Sequence, residues 1–103
     1  MITEIETLDA FNAAIAKETC SVIDFYATWC GPCKMIHPKY ENFSNVYTNV
    51  SFYQADVDQA QEVAAACDVN CMPTFKFYKA GKLIGEIQGA NVRELERILK
   101  ENN

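Results

Sequence analysis

The sequence has no surplus of basic residues: nine Lys and Arg stand against fourteen Asp and Glu, for a net charge of −5 spread along the chain. A general nucleic-acid binder neutralises phosphates with a basic surface, so this balance disfavours that class. No apolar run approaches the roughly 18 residues that span a bilayer. There is a single His, which cannot build a His-based metal site alone. No G-x-G-x-x-G stretch occurs, and the chain is too short to bind nicotinamide and flavin itself. The start, Met1-Ile2-Thr3-Glu4, has neither a basic n-region nor an apolar h-region, so the mature chain is expected to begin there, in the cytoplasm. Without export, the N-x-S matches at Asn42 and Asn49 carry no meaning.

What is present is an ordinary globular composition: 103 residues, 50% hydrophobic and 22% charged, the size of one domain with one core. The whole of 1–103 is expected to form that domain, with no linker or repeat. Its five cysteines, Cys20, Cys30, Cys33, Cys67 and Cys71, are an odd number in a chain that can afford a core without staples. Reduced thiols serving chemistry or metal fit better than a disulfide framework.

Residues 22–28 are apolar and β-rich without alternation, as in a strand covered on both faces, and one acid, Asp24, interrupts them. Further β-rich runs lie at 50–55 and 74–78. The latter leads through Lys79-Ala80-Gly81-Lys82 into 83–87, a hairpin. Helical spacing places Leu8, Phe11 and Ile15 on one face, with Asp9 as a capping candidate, and Ile36, Tyr40, Phe43 and Tyr47 on another within 34–47, where Pro38 predicts a kink. Residues 59–67 are Ala-rich and helix-forming. Asn91 caps a closing helix carrying Val92, Leu95, Ile98 and Leu99. With a short strand at 2–5, strands alternate with helices, which implies an α/β fold with a partly parallel sheet covered on both faces.

Cys30 and Cys33 stand where the buried strand ends and a helix should begin, a placement that reads as a redox dithiol. Two sulfurs three residues apart on a first turn can close a short ring, and Pro32 sits where no N–H is needed. The helix N-terminus favours a thiolate. Cys30, nearer that end and expected nearer solvent, is the nucleophile; Cys33, expected to be more buried, resolves the mixed disulfide. Asp24 is the nearby base candidate for Cys33, its pKa raised by burial. Lys34 reads as a solvated lysine and His37 as a surface helix residue. A Cys₄ zinc module built from Cys30, Cys33, Cys67 and Cys71 is a competing class, but C-x₃-C is looser than C-x₂-C and this core needs no metal to fold. A redox-silent interaction subunit is a third.

Phe25-Tyr26-Ala27-Thr28-Trp29-Cys30-Gly31-Pro32-Cys33-Lys34, then Met72-Pro73-Thr74, then Gly81, Gly85 and Gly89 together resemble thioredoxins in order and spacing over essentially the whole chain. The resemblance implies the thioredoxin fold, a central mixed five-stranded sheet flanked by four helices, with Pro73 cis. It implies a substrate surface of Trp29, Gly31, Pro32, Met72, Pro73 and Gly89 beside the dithiol. The implied activity is protein-disulfide reduction with no bound cofactor or metal, the pair being recharged from NADPH by thioredoxin reductase. Implied targets include peroxiredoxin, ribonucleotide reductase and methionine sulfoxide reductase. Gln54 stands where many bacterial members carry a Lys facing the buried Asp, which should raise Asp24 further. Cys67 and Cys71 are placed like the additional cysteines of animal cytosolic members, which makes them candidate regulatory thiols on a monomer that Cys71 could link into a dimer on oxidation. Cys20 has no counterpart and reads as a buried spacer.

Overall fold

A computed structural model describes residues 1–103, in the order β1 (Ile2–Glu4), α1 (Leu8–Ile15), β2 (Ser21–Tyr26), α2 (Gly31–Val46), β3 (Ser51–Asp56), α3 (Gln61–Ala66), β4 (Thr74–Lys79), β5 (Lys82–Gln88) and α4 (Val92–Asn102). The sheet runs β1-β3-β2-β4-β5. β1, β3 and β2 pair in parallel, while β4 and β5 join antiparallel. β2 is central, and its apolar run is covered on both faces. Val22 packs into a core with Ile36, Tyr40 and Phe43 of α2 and Leu95 and Leu99 of α4. Ile23 and Phe25 pack into another with Phe11 of α1 and Val63 of α3. The lack of alternation in the sequence therefore reports two apolar layers of side chains. No helix is long and apolar enough to cross a membrane.

Element ends differ from the sequence reading where capping chemistry decides them. Thr7, not Asp9, caps α1: its hydroxyl accepts from the Ala10 N–H, which leaves Asp9 inside the first turn. α2 starts at Gly31, three residues before the expected 34, because Cys30 itself is the N-cap and Pro32 in the first turn sacrifices no hydrogen bond. The helix continues through Pro38, an exposed position. α3 is trimmed to six residues. Asn91 caps α4 as expected, accepting from the Glu94 N–H. In the hairpin turn both Ala80 and Gly81 have positive φ, 52° and 80°, the geometry whose twist matches paired strands.

One polar cluster ties the layers together. Lys76, buried in β4, donates its ammonium to the carbonyl of Cys67, the last residue of the α3 turn, and lies 3.1 Å from Glu86 of β5. It acts as a cation at a helix C-terminus, and its hydrogen bond holds the Glu86 carboxyl below the usual carboxylate range. Lys76→Met keeps the apolar stem but leaves the carbonyl without its donor. Urea denaturation is expected to show a loss of about 2 kcal/mol, the usual worth of a hydrogen bond to a charged group.

Candidate active site

The end of β2 delivers Ala27, Thr28 and Trp29 to the N-terminus of α2, where Cys30 and Cys33 are joined by a disulfide with a Cα–Cα distance of 5.3 Å. Cys30 occupies the cap position, so its sulfur accepts the Cys33 N–H at 3.2 Å. A free N–H and the positive end of the helix dipole thus converge on this sulfur, and both favour the anion over the thiol once the pair is reduced. The Met72 carbonyl oxygen lies 3.7 Å from the same sulfur. The Met72–Pro73 peptide bond is cis. The Pro73 carbonyl accepts from the Gly89 N–H at 2.7 Å, with Gly89 at φ +95°, a conformation that costs a side-chain-bearing residue about 1 kcal/mol. The two loops and the helix end therefore form one surface, on which Trp29, Gly31 and Pro32 are exposed and Met72 is half-buried.

Trp29 is 66% exposed, and its indole N–H donates to Asp58 at 2.9 Å. This orients a large apolar face beside the dithiol instead of in the core. Sequence reasoning did not single out Asp58, although the run Asp56-Val57-Asp58, where β3 ends and a turn begins, was its signal.

The expected difference in burial between the two cysteines is not found: Cys30 is 5% exposed and Cys33 4%. Closing the short ring tucks both sulfurs against Ala27, with Met72 alongside, so the distinction lies in the helix-cap position of Cys30, not in solvent access.

Below Cys33 lies a cavity of about 430 Å³ lined by Asp24, Tyr26, Cys33, Lys34, His37 and Gln54, among others. Asp24 is 1% exposed, and its Oδ1 has no hydrogen-bond partner. Burial, with a smaller contribution from the charge of Glu4, pushes its pKa up to about 7. His37, on α2, is half-buried and lines this cavity. Glu4, absent from the sequence-derived site, reaches it through the register of β1, β3 and β2.

The other cysteines are separate. Cys20 is buried, and desolvation lifts its thiol to about 11, an inert form. Cys67 is buried with its sulfur 3.7 Å from the Tyr78 hydroxyl, and burial raises its pKa as well. Cys71 is half-buried, with its sulfur 3.6 Å from the Thr74 hydroxyl. Cys67 and Cys71 are both free, so no local pair forms between them. No group of three or more His, Cys, Asp or Glu is arranged to hold a metal.

The family model described as Thioredoxin matches residues 2–101. The chain belongs to the thioredoxin family. Bovine thioredoxin (Bos taurus) is 50% identical over 103 residues, covering 98% of each chain. Among solved structures, the thioredoxin of Malassezia sympodialis superposes with a TM-score of 0.95 at 36% identity, covering 99% of this chain and 90% of that one. A chain from a structure on the thiol resolving mechanism in yeast mitochondrial 1-Cys peroxiredoxin via glutathione/thioredoxin systems gives 0.93 at 44% identity, covering 97% and 94%. The observed sheet and four helices are the thioredoxin fold. This thioredoxin-family chain is a thiol-disulfide oxidoreductase acting on protein disulfides, and the disulfide itself, with no bound cofactor, is the family's redox group.

Proposed function

We propose that this chain is a general protein-disulfide reductase of the cytoplasm, working as a single domain. The observation that carries the reading is the convergence of the Cys33 N–H and the α2 N-terminus on the Cys30 sulfur. In the reduced protein the Cys30 thiolate attacks one sulfur of a target disulfide; a mixed disulfide forms and the target's other sulfur leaves as a thiolate. The Cys33 thiol gives its proton to Asp24 across the shared cavity, and its thiolate attacks the Cys30 sulfur. The target departs with both sulfurs reduced, and the two electrons it gained are those lost in forming the Cys30–Cys33 bond. An NADPH-dependent thioredoxin reductase returns two electrons to the pair.

Target docking uses Trp29, Gly31, Pro32, Met72, Pro73 and Gly89, where backbone contact with an extended segment gives affinity without strong side-chain selectivity. Peroxiredoxins, ribonucleotide reductase and methionine sulfoxide reductases are the target classes. The protein works as a monomer, and the half-buried Cys71 at the rim of this surface links two copies on oxidation.

The test combines the protein with NADPH, a thioredoxin reductase and a disulfide-bonded substrate such as insulin. NADPH consumption is expected to match the substrate disulfides reduced, and Cys30→Ser is expected to abolish turnover. No turnover by wild type, or undiminished turnover in Cys30→Ser, overturns the reading.

A further inference from the structure

In sheet register, Ile2, Phe52, Val22, Phe77 and Gly85 stand side by side across β1, β3, β2, β4 and β5. This row faces α2 and α4 and carries no charge. Two residues further along, the same face carries Glu4, Gln54, Asp24, Phe75 and Ile87. Three of the five residues in this second row are polar, with two acids flanking one amide and no cation among them. The amide directs its N–H away from Asp24: Gln54 Nε2 donates to Glu4 Oε1 at 2.7 Å. The Tyr26 hydroxyl approaches both Glu4 oxygens, at 3.2 and 3.1 Å. Glu4 is thus a charge held in place at the exposed end of the row, while Asp24 Oδ1 stays buried without a donor.

We propose that Glu4 is a positioning residue for the proton step of the dithiol cycle, its carboxylate setting the pH at which Asp24 exchanges its proton with Cys33. This deepens the proposed function and rests on its assignment of Asp24 as the base. The other titratable groups around Asp24 come from every packed element. Tyr26 lies on β2, Asp56 beyond Gln54 on β3, and Cys33, Lys34, His37 and Tyr40 on α2. Tyr40 keeps its proton, since burial raises its pKa well above the usual phenol value; its hydroxyl donates to the Tyr53 carbonyl at 2.6 Å. Lys34 and His37 reach the cavity from the helix side, whereas Glu4 acts from the opposite end along the sheet.

Two strand spacings separate Glu4 from Asp24, roughly 10 Å. A unit charge at that range shifts an ionisation by about 0.3 pH unit in bulk water and about 1 unit at the effective dielectric of a protein surface. Glu4→Gln removes the charge and keeps an acceptor for Gln54 and Tyr26. The Asp24 carboxyl carbon is followed by NMR against pH in the reduced protein, and the resolving step is timed over the same range.

The Asp24 midpoint is expected to fall by about 0.3 to 1 pH unit in Glu4→Gln, to do so equally in a His37→Gln background, and to shift less in 1 M salt, where the exposed charge is screened. The midpoint of the resolving rate should move with it, and Glu4→Gln should have no effect on that profile in an Asp24→Asn background. An unmoved NMR midpoint overturns the role of Glu4. A midpoint that moves while the rate profile stays fixed upholds the electrostatic coupling and overturns Asp24 as the base.

Discussion

Reduced Cys33→Ser protein offered a disulfide-bonded target is expected to stop at the covalent complex, with Cys30 joined to a target sulfur and no reduced target released. A serine at 33 can still turn its backbone N–H to the Cys30 sulfur, so the first attack keeps its activation. What disappears is the second thiolate. A well-oriented intramolecular nucleophile acts at an effective concentration on the order of 10⁵ M or more. Against external thiol at about 1 mM, even a small part of that advantage makes release slower by on the order of 10⁴-fold. Non-reducing electrophoresis and mass spectrometry check this directly: a stable adduct with one bond to Cys30 is expected for Cys33→Ser and none for Cys30→Ser. Release from Cys33→Ser at the wild-type rate would remove Cys33 from the cycle.

Asp24→Asn is expected to make the protein more stable above neutral pH while slowing resolution more than first attack. The folded-state pKa, about 7, lies above the ordinary aspartate value of 3.8, so between those values the folded protein holds a proton that the unfolded chain has released. The stability this proton contributes is complete below about pH 4 and is lost as pH rises through 7. The difference of roughly 3 pH units corresponds to about 4 kcal/mol as an order of magnitude. Asn has no proton to lose, and the pH dependence of the other groups cancels when the two proteins are compared. Urea midpoints measured from pH 4 to 8 should therefore run apart toward high pH, with the variant above the wild type; parallel curves would mean that Asp24 does not titrate in this window. An acid retained at this cost in a β-strand fits a role in proton transfer, because a base works best with its pKa near the operating pH.

Much of this was legible because periodicity and punctuation agreed. The unalternating run of β2, the stripe Ile36, Tyr40, Phe43 and Tyr47, and the Asn91 cap each follow from local rules, and the structure buries or caps them accordingly. Asp24 was readable as the lone acid in an apolar strand. The misses depend on information that is not local. Thr7 and Asp9 are both capping types, and only the backbone at Thr7, extended at φ −126°, decides between them. That His37 borders a cavity with Asp24 follows only once the sheet supplies the far wall. Glu4 becomes part of the site only through the pairing of β1 with β3 and of β3 with β2, three strands far apart in sequence. Asp58 needs the closeness of the β3 turn to the end of β2.

The segment between Cys67 and Pro73 is short and fastened at both ends. Lys76 grips the Cys67 carbonyl and the Gly89 N–H holds that of Pro73, while the Thr74 hydroxyl donates to the Cys71 carbonyl between them at 2.7 Å. A strip of chain anchored in this way has little freedom left to lose when another polypeptide lies against it. The entropy of ordering at the encounter therefore falls on the arriving strand. If targets dock there as proposed, such a surface favours disulfides in segments that are already extended or easily drawn out, and it discriminates by the target's mobility more than by its sequence.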